Sequence, residues 1–117
     1  MKRTTFQISI NKRDDNGRRH VARQECQGYS IGVPGLVIHR AVVRHGRGDW
    51  TVSHEYSGWS VCPLPYRLRA DAAAFASEIA DLTDWTQDRD TIGSQWQTLQ
   101  PAVLSAARHA RSRAAAD

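Results

Sequence analysis

Lysine is nearly missing from this chain of 117 residues: Lys2 and Lys12 stand against fourteen arginines. A lysine-dependent phosphate loop or Schiff base would therefore have to draw on the N-terminal segment, and no Gly-x-x-x-x-Gly-Lys run is present. Cysteine is limited to Cys26 and Cys62, with no Cys-x-x-Cys, His-Glu-x-x-His or paired Cys/His spacing. His39, His45 and His54 thus lack a ligand frame, and neither a metal nor any other cofactor is expected. No apolar run approaches the ~20 residues of a membrane span. No apolar block follows Lys2-Arg3, so a secretory signal is not expected and a cytoplasmic protein with two free thiols is. His54 and Glu55 adjoin on a strand and so face opposite ways, which gives no acid–base pair. An enzyme is not expected.

What the chain does contain is enough for one folded domain. Hydrophobic residues make up 40%, including four tryptophans. A chain of this size buries roughly two-thirds of its unfolded surface without a disulfide or metal. Phe6, Ile8 and Ile10 alternate with Gln7, Ser9 and Asn11, a strand with one buried face. Asp14-Asp15-Asn16-Gly17 is a hairpin signal, because Asn and Gly both tolerate positive φ. The polar return from His20 to Cys26 reads as an edge strand. Leu36–Arg44 is rich in β-branched residues and reads as the central strand. Trp50, Val52, His54 and Tyr56 share a face of the next one. Ser57-Gly58 turns into Trp59–Cys62, which Pro63 and Pro65 end.

A helix begins near Arg69–Asp71, with Phe75, Ile79, Leu82, Ala72 and Ala76 on one arc. Thr86–Gly93 reads as a connection. Ile92, Trp96, Leu99 and Val103 continue in helical spacing, and Pro101 predicts a break with a further helix starting there. The expected fold is α+β: an antiparallel β-sheet of about four to five strands, then two or three C-terminal helices packed on one face. Residues 1–117 form a single domain, mainly β over 1–65 and mainly α over 69–113, with 114–117 frayed.

Charge divides along the same line. Residues 1–70 hold 12 basic and 5 acidic residues, net +7; residues 71–117 hold 4 and 7, net −3. The arginine excess reads either as the coding bias of a GC-rich genome or as selection for bidentate contact with phosphate or carboxylate. Two candidate surfaces follow. Arg18, Arg19, Arg23, Arg40, Arg44, Arg47, Arg67 and Arg69, with Trp50 and Trp59, could bind phosphates and stacked bases of DNA or RNA. Glu78, Asp81, Asp84 and Asp88, with Trp85 on the same side, form an acidic helix face that would dock into a basic channel of a partner protein.

The run Trp50-Thr51-Val52-Ser53-His54-Glu55-Tyr56-Ser57-Gly58-Trp59-Ser60-Val61, followed by Arg69-Ala70-Asp71-Ala72, resembles a strand–turn–strand–helix cassette of small phage and plasmid proteins. Anti-CRISPR inhibitors and other anti-defence factors are among proteins of that kind. The resemblance covers about residues 36–85 and transfers no functional residue. It implies a binding protein of a mobile genetic element, in the cytoplasm of a bacterial host cell. Such a protein blocks host nucleoprotein machinery of the CRISPR effector type by steric or electrostatic means. The alternative is a basic accessory protein that binds nucleic acid directly. Either a monomer or a homodimer suits both readings.

Overall fold

The computed structural model describes residues 2–41, 48–63 and 65–116. Strands β1 (Lys2–Arg13), β2 (Arg19–Ser30), β3 (Leu36–Arg40) and β4 (Trp50–His54) precede helices α1 (Arg69–Ile79) and α2 (Arg89–Ala116). The strands form one antiparallel sheet in the order β1-β2-β3-β4, an α+β layout.

The hairpin turn differs from the expected pair of positive-φ residues. Gly17 alone has positive φ, at 79°. Its N–H donates to the Asp14 carbonyl at 2.9 Å, and the Asp14 carboxylate accepts from the N–H groups of Asn16 and Arg18. This is a three-residue loop, in which one left-handed glycine follows an ordinary turn. It fixes Arg13 opposite Arg19, and the pairing then runs unbroken to Lys2 opposite Ser30. β2 is not an edge strand: it lies between β1 and β3, although it meets β3 only at Tyr29 and Ser30.

Strand alternation sorts the side chains onto two faces. Leu36, Ile38 and Val52 join Phe75, Ala76, Ile79, Ile92, Leu99 and Val103 in the main core. Val37 belongs to a second cluster with Phe6 and Ile8, against which Ile10 and Cys26 pack. The hairpin is held over that second cluster by the Ser57-Gly58 turn: Ser9 N–H donates to the Gly58 carbonyl at 2.9 Å, and Ser9 Oγ donates to the Ser57 carbonyl at 2.7 Å. Gly58 has φ 74°, and a Cβ there would lie 2.6 Å from the Gln7 oxygen, so only glycine fits.

The fifth strand expected at 59–62 is reduced to single bridges, Ser53 with Ser60 and Trp50 with Tyr66. The expected β3 residues Val42, Val43 and Arg44 fall outside the described residues.

α1 ends at Ile79, and residues 80–88 form turns instead of a continuing helix. Two donors occupy the Ile79 carbonyl: the Leu82 N–H at 3.1 Å and the Trp85 indole N–H at 2.9 Å. Leu82 is therefore off the buried arc and exposed, while Trp85 is 1% exposed. α2 starts earlier than expected, where the Asp88 carboxylate accepts the Thr91 N–H at 2.8 Å, an N-cap bond. It then runs through Pro101 without a break. Buried Ile92, Leu99, Val103, Ala107 and Ala110 lie on both sides of the proline, and their burial outweighs one missing backbone bond.

Candidate nucleic-acid interface

The hairpin register carries Arg3 to a position opposite Tyr29, and the β2–β3 register sets Tyr29 opposite Ile38. Arg40 pairs with Trp50 one row further on. Opposite residues share a face, so Arg3, Tyr29, Arg40 and Trp50 lie on the Ile38 face of the sheet. Arg69, the first residue of α1, completes the group. The Arg40 guanidinium sits 4.4 Å from the Trp50 ring centroid. That of Arg69 lies 4.9 Å from Tyr29 and 5.7 Å from Trp50, and the two rings are 6.0 Å apart. The Arg3 guanidinium hydrogen-bonds the Tyr29 hydroxyl and attracts its phenolate, with a smaller contribution from Arg69; together they lower the Tyr29 pKa.

Stacking a guanidinium on a ring uses its flat face and leaves its N–H edge free for oxygen acceptors. One such edge is used internally, where Arg40 Nη1 donates to the Gly48 carbonyl at 3.2 Å. Among the described residues no carboxylate forms an ion pair with Arg3, Arg40 or Arg69. The cluster is thus a set of exposed, ordered cations beside two half-buried rings, which suits phosphate contact and base stacking.

The remaining sequence candidates distribute unevenly. Arg19 and Arg23 share the hairpin face of Arg3, as does Arg13; all are exposed, and Glu25 is the acid on that face. Arg18 lies in the hairpin turn and Arg67 in the approach to α1, both exposed. Arg44 and Arg47 lie outside the described residues. Trp59 stands apart from Trp50, stacked by Arg89 at 5.2 Å. Arg3 and Tyr29 were not among the sequence candidates. They could have been, because the turn fixes the register and the register pairs them.

The acidic helix face does not form. Only Glu78 lies within α1, and it accepts from His109 Nδ1 at 2.8 Å. Asp81, Asp84 and Asp88 sit in the 80–88 turns. The Asp84 carboxylate accepts the hydroxyl and N–H of Thr86, and Asp88 likewise serves Thr91; these hydrogen bonds lower both carboxyl pKa values. Trp85, expected beside them on the surface, is buried.

Two histidines are buried without serving this surface. His39 Nδ1 donates to the Arg40 carbonyl at 2.8 Å, which leaves Nε2 to accept from Ser53 Oγ at 2.7 Å. His54 holds the other tautomer: Nε2–H faces the carbonyls of Trp85 and Gln87 at 2.9 and 3.0 Å, and Nδ1 accepts from Ser57 Oγ at 2.7 Å. Burial lowers both pKa values, so both rings are neutral. Among the described residues no three His, Cys, Asp or Glu side chains converge as a metal site.

No protein family, no curated protein and no solved structure matches the chain.

Proposed function

We propose that the protein binds nucleic acid directly, through Arg3, Arg40 and Arg69 set around Tyr29 and Trp50. The observation that carries this reading is the stacking of Arg40 and Arg69 on the two rings with no carboxylate partner among the described residues. Ordered arginines lose less entropy when they take a phosphate, and partly exposed rings offer a base a stacking surface. Arg13, Arg19 and Arg23 extend the same charge along the hairpin for further backbone contacts.

Blockade of host nucleoprotein machinery would follow where the nucleic acid bound is a component of that machinery. Docking by an acidic helix has no comparable support, because Asp81, Asp84 and Asp88 lie outside α1 and Glu78 accepts from His109.

The test is fluorescence anisotropy with labelled single-stranded and duplex oligonucleotides over a salt series. Three phosphate contacts on a single strand give a log–log salt slope near about −2, at ~0.7 per contact. The double variant R40E/R69E should lose binding at all sequences and flatten that slope by more than about 1. Binding that is undetectable at low salt, or that survives the double variant unchanged, refutes the reading.

A further inference from the structure

Away from that cluster, a cavity of about 360 Å³ lies between the segment after β4 and the first turns of α2. Its walls are the indoles of Trp59 and Trp96 with Val61 and Ile92, and His54 forms part of its lining. This volume falls within the usual range of small-molecule sites, ~300–1,000 Å³. Gly93 keeps it open: a Cβ there would already touch the Trp59 ring at 3.5 Å, and any longer side chain would enter the space.

The chemistry of the walls restricts the occupant. Both His54 nitrogens are committed, to Ser57 and to the carbonyls of Trp85 and Gln87. Ser60 Oγ donates to the Cys62 carbonyl at 3.2 Å. Flat apolar surface therefore dominates what these walls offer a ligand, and neither His54 nitrogen is spare. Charge is found at Trp59, where the Arg89 guanidinium stacks at 5.2 Å with no carboxylate ion-paired to it among the described residues. The neighbouring Asp88 carboxylate is turned to the Thr91 N–H. We infer that this cavity binds a planar aromatic anion, its rings between Trp59 and Trp96 and its carboxylate or sulfonate on Arg89. Apolar burial and ring stacking would hold the body, and one charge-assisted contact would set its orientation.

The experiment uses 1-naphthoate as probe, with naphthalene-1-methanol as its uncharged counterpart and cyclohexanecarboxylate as a non-aromatic anion. Tryptophan fluorescence and calorimetry read the binding. Saturable binding of naphthoate is expected, about tenfold tighter than the alcohol, as one charge-assisted bond supplies. Cyclohexanecarboxylate should bind more weakly still. R89Q should bring naphthoate and the alcohol to equal affinity. G93L should abolish binding of both while the thermal unfolding midpoint is kept or raised, because leucine is the better helix former. No saturable naphthoate binding, or binding unchanged in G93L, overturns the inference. So does sedimentation of the wild type as a dimer that G93L dissociates, since a second copy would then occupy the cavity. Binding unchanged in R89Q overturns the assignment of the anion. Oligonucleotide binding by G93L should be unaltered, which separates this site from the Arg40–Trp50 cluster.

Discussion

Acidification should unfold this protein through its two buried histidines. His39 is 3% exposed and His54 fully buried, and burial lowers the pKa of each from 6.5. Hydrogen bonds to backbone carbonyls oppose that lowering at both rings, and Glu55 adds a small opposing charge at His54. The sign follows from proton counts. Below pH 6.5 the unfolded chain protonates both rings, while the folded chain keeps them neutral down to its own lower pKa values. The stabilisation is complete above pH 6.5 and is lost as pH falls through the folded pKa values. Within that window each ring contributes a slope of up to about 1.4 kcal/mol per pH unit, and the two together up to about 2.7. Against a total stability of about 5–15 kcal/mol, one pH unit removes a substantial part. Protonation is costly locally as well. An imidazolium at either site needs both nitrogens to donate, yet His39 Nε2 and His54 Nδ1 accept from serine hydroxyls. Each serine would have to reverse its bond, which its hydroxyl rotor allows only by giving up the present arrangement. Urea unfolding followed by tryptophan fluorescence between pH 7.5 and 5 measures the slope. H39Q and H54Q should each flatten it by about half, up to about 1.4 kcal/mol per pH unit. A stability flat across pH 6.5 to 5.5, or a slope unaltered in the double variant, would refute the account.

Four other outcomes are expected. In H54L the Ser57 hydroxyl and the Trp85 and Gln87 carbonyls lose their partner, a cost of about 3–6 kcal/mol by denaturation at neutral pH. G58A should cost about 2–4 kcal/mol, because the added Cβ meets the β1 backbone and the residue is left-handed. P101A should stabilise by up to about 3 kcal/mol, read as a higher melting temperature, since it restores a backbone donor inside α2. In an alkaline titration followed by phenolate absorbance, Tyr29 should ionise early and Tyr66 late, its pKa pushed up to about 12 mainly by burial. R3A should return the early step toward ordinary tyrosine behaviour.

Legibility in the sequence followed the kind of force involved. Short-range patterns were readable: the alternation of Phe6, Ile8 and Ile10 gave β1, and the Asp14–Gly17 run gave the turn. The start of α1 near Arg69 was also readable. The helix ends were not, because long-range contacts decide them. Nothing local to residues 80–88 announces that Trp85 folds back onto the Ile79 carbonyl, yet that contact removes Asp81, Asp84 and Asp88 from any helix. Pro101 misled for the same reason: its local penalty is real, and the burial on both sides of it is a property of the assembled core. The Arg40–Trp50 proximity was implicit in the strand pattern. The Arg3–Tyr29 contact needed the register, which in turn needed the loop to have three residues and not two.

The division of charge acquires a direction once partners are assigned. Net charge of +7 over residues 1–70 and −3 over 71–117 gives two surfaces of comparable claim on paper. In the fold four acids are engaged locally: Asp14, Asp84 and Asp88 accept backbone N–H groups of their own turns, and Glu78 takes His109. A carboxylate holding a turn together must give up those bonds, or share them, before it can mimic a phosphate for a partner. The arginines are in the opposite position. Arg3, Arg40 and Arg69 are ordered by rings and a hydroxyl, contacts that a phosphate does not displace. Binding an anion there adds hydrogen bonds without breaking an ion pair, and this asymmetry, more than the excess of positive charge, favours the arginine face.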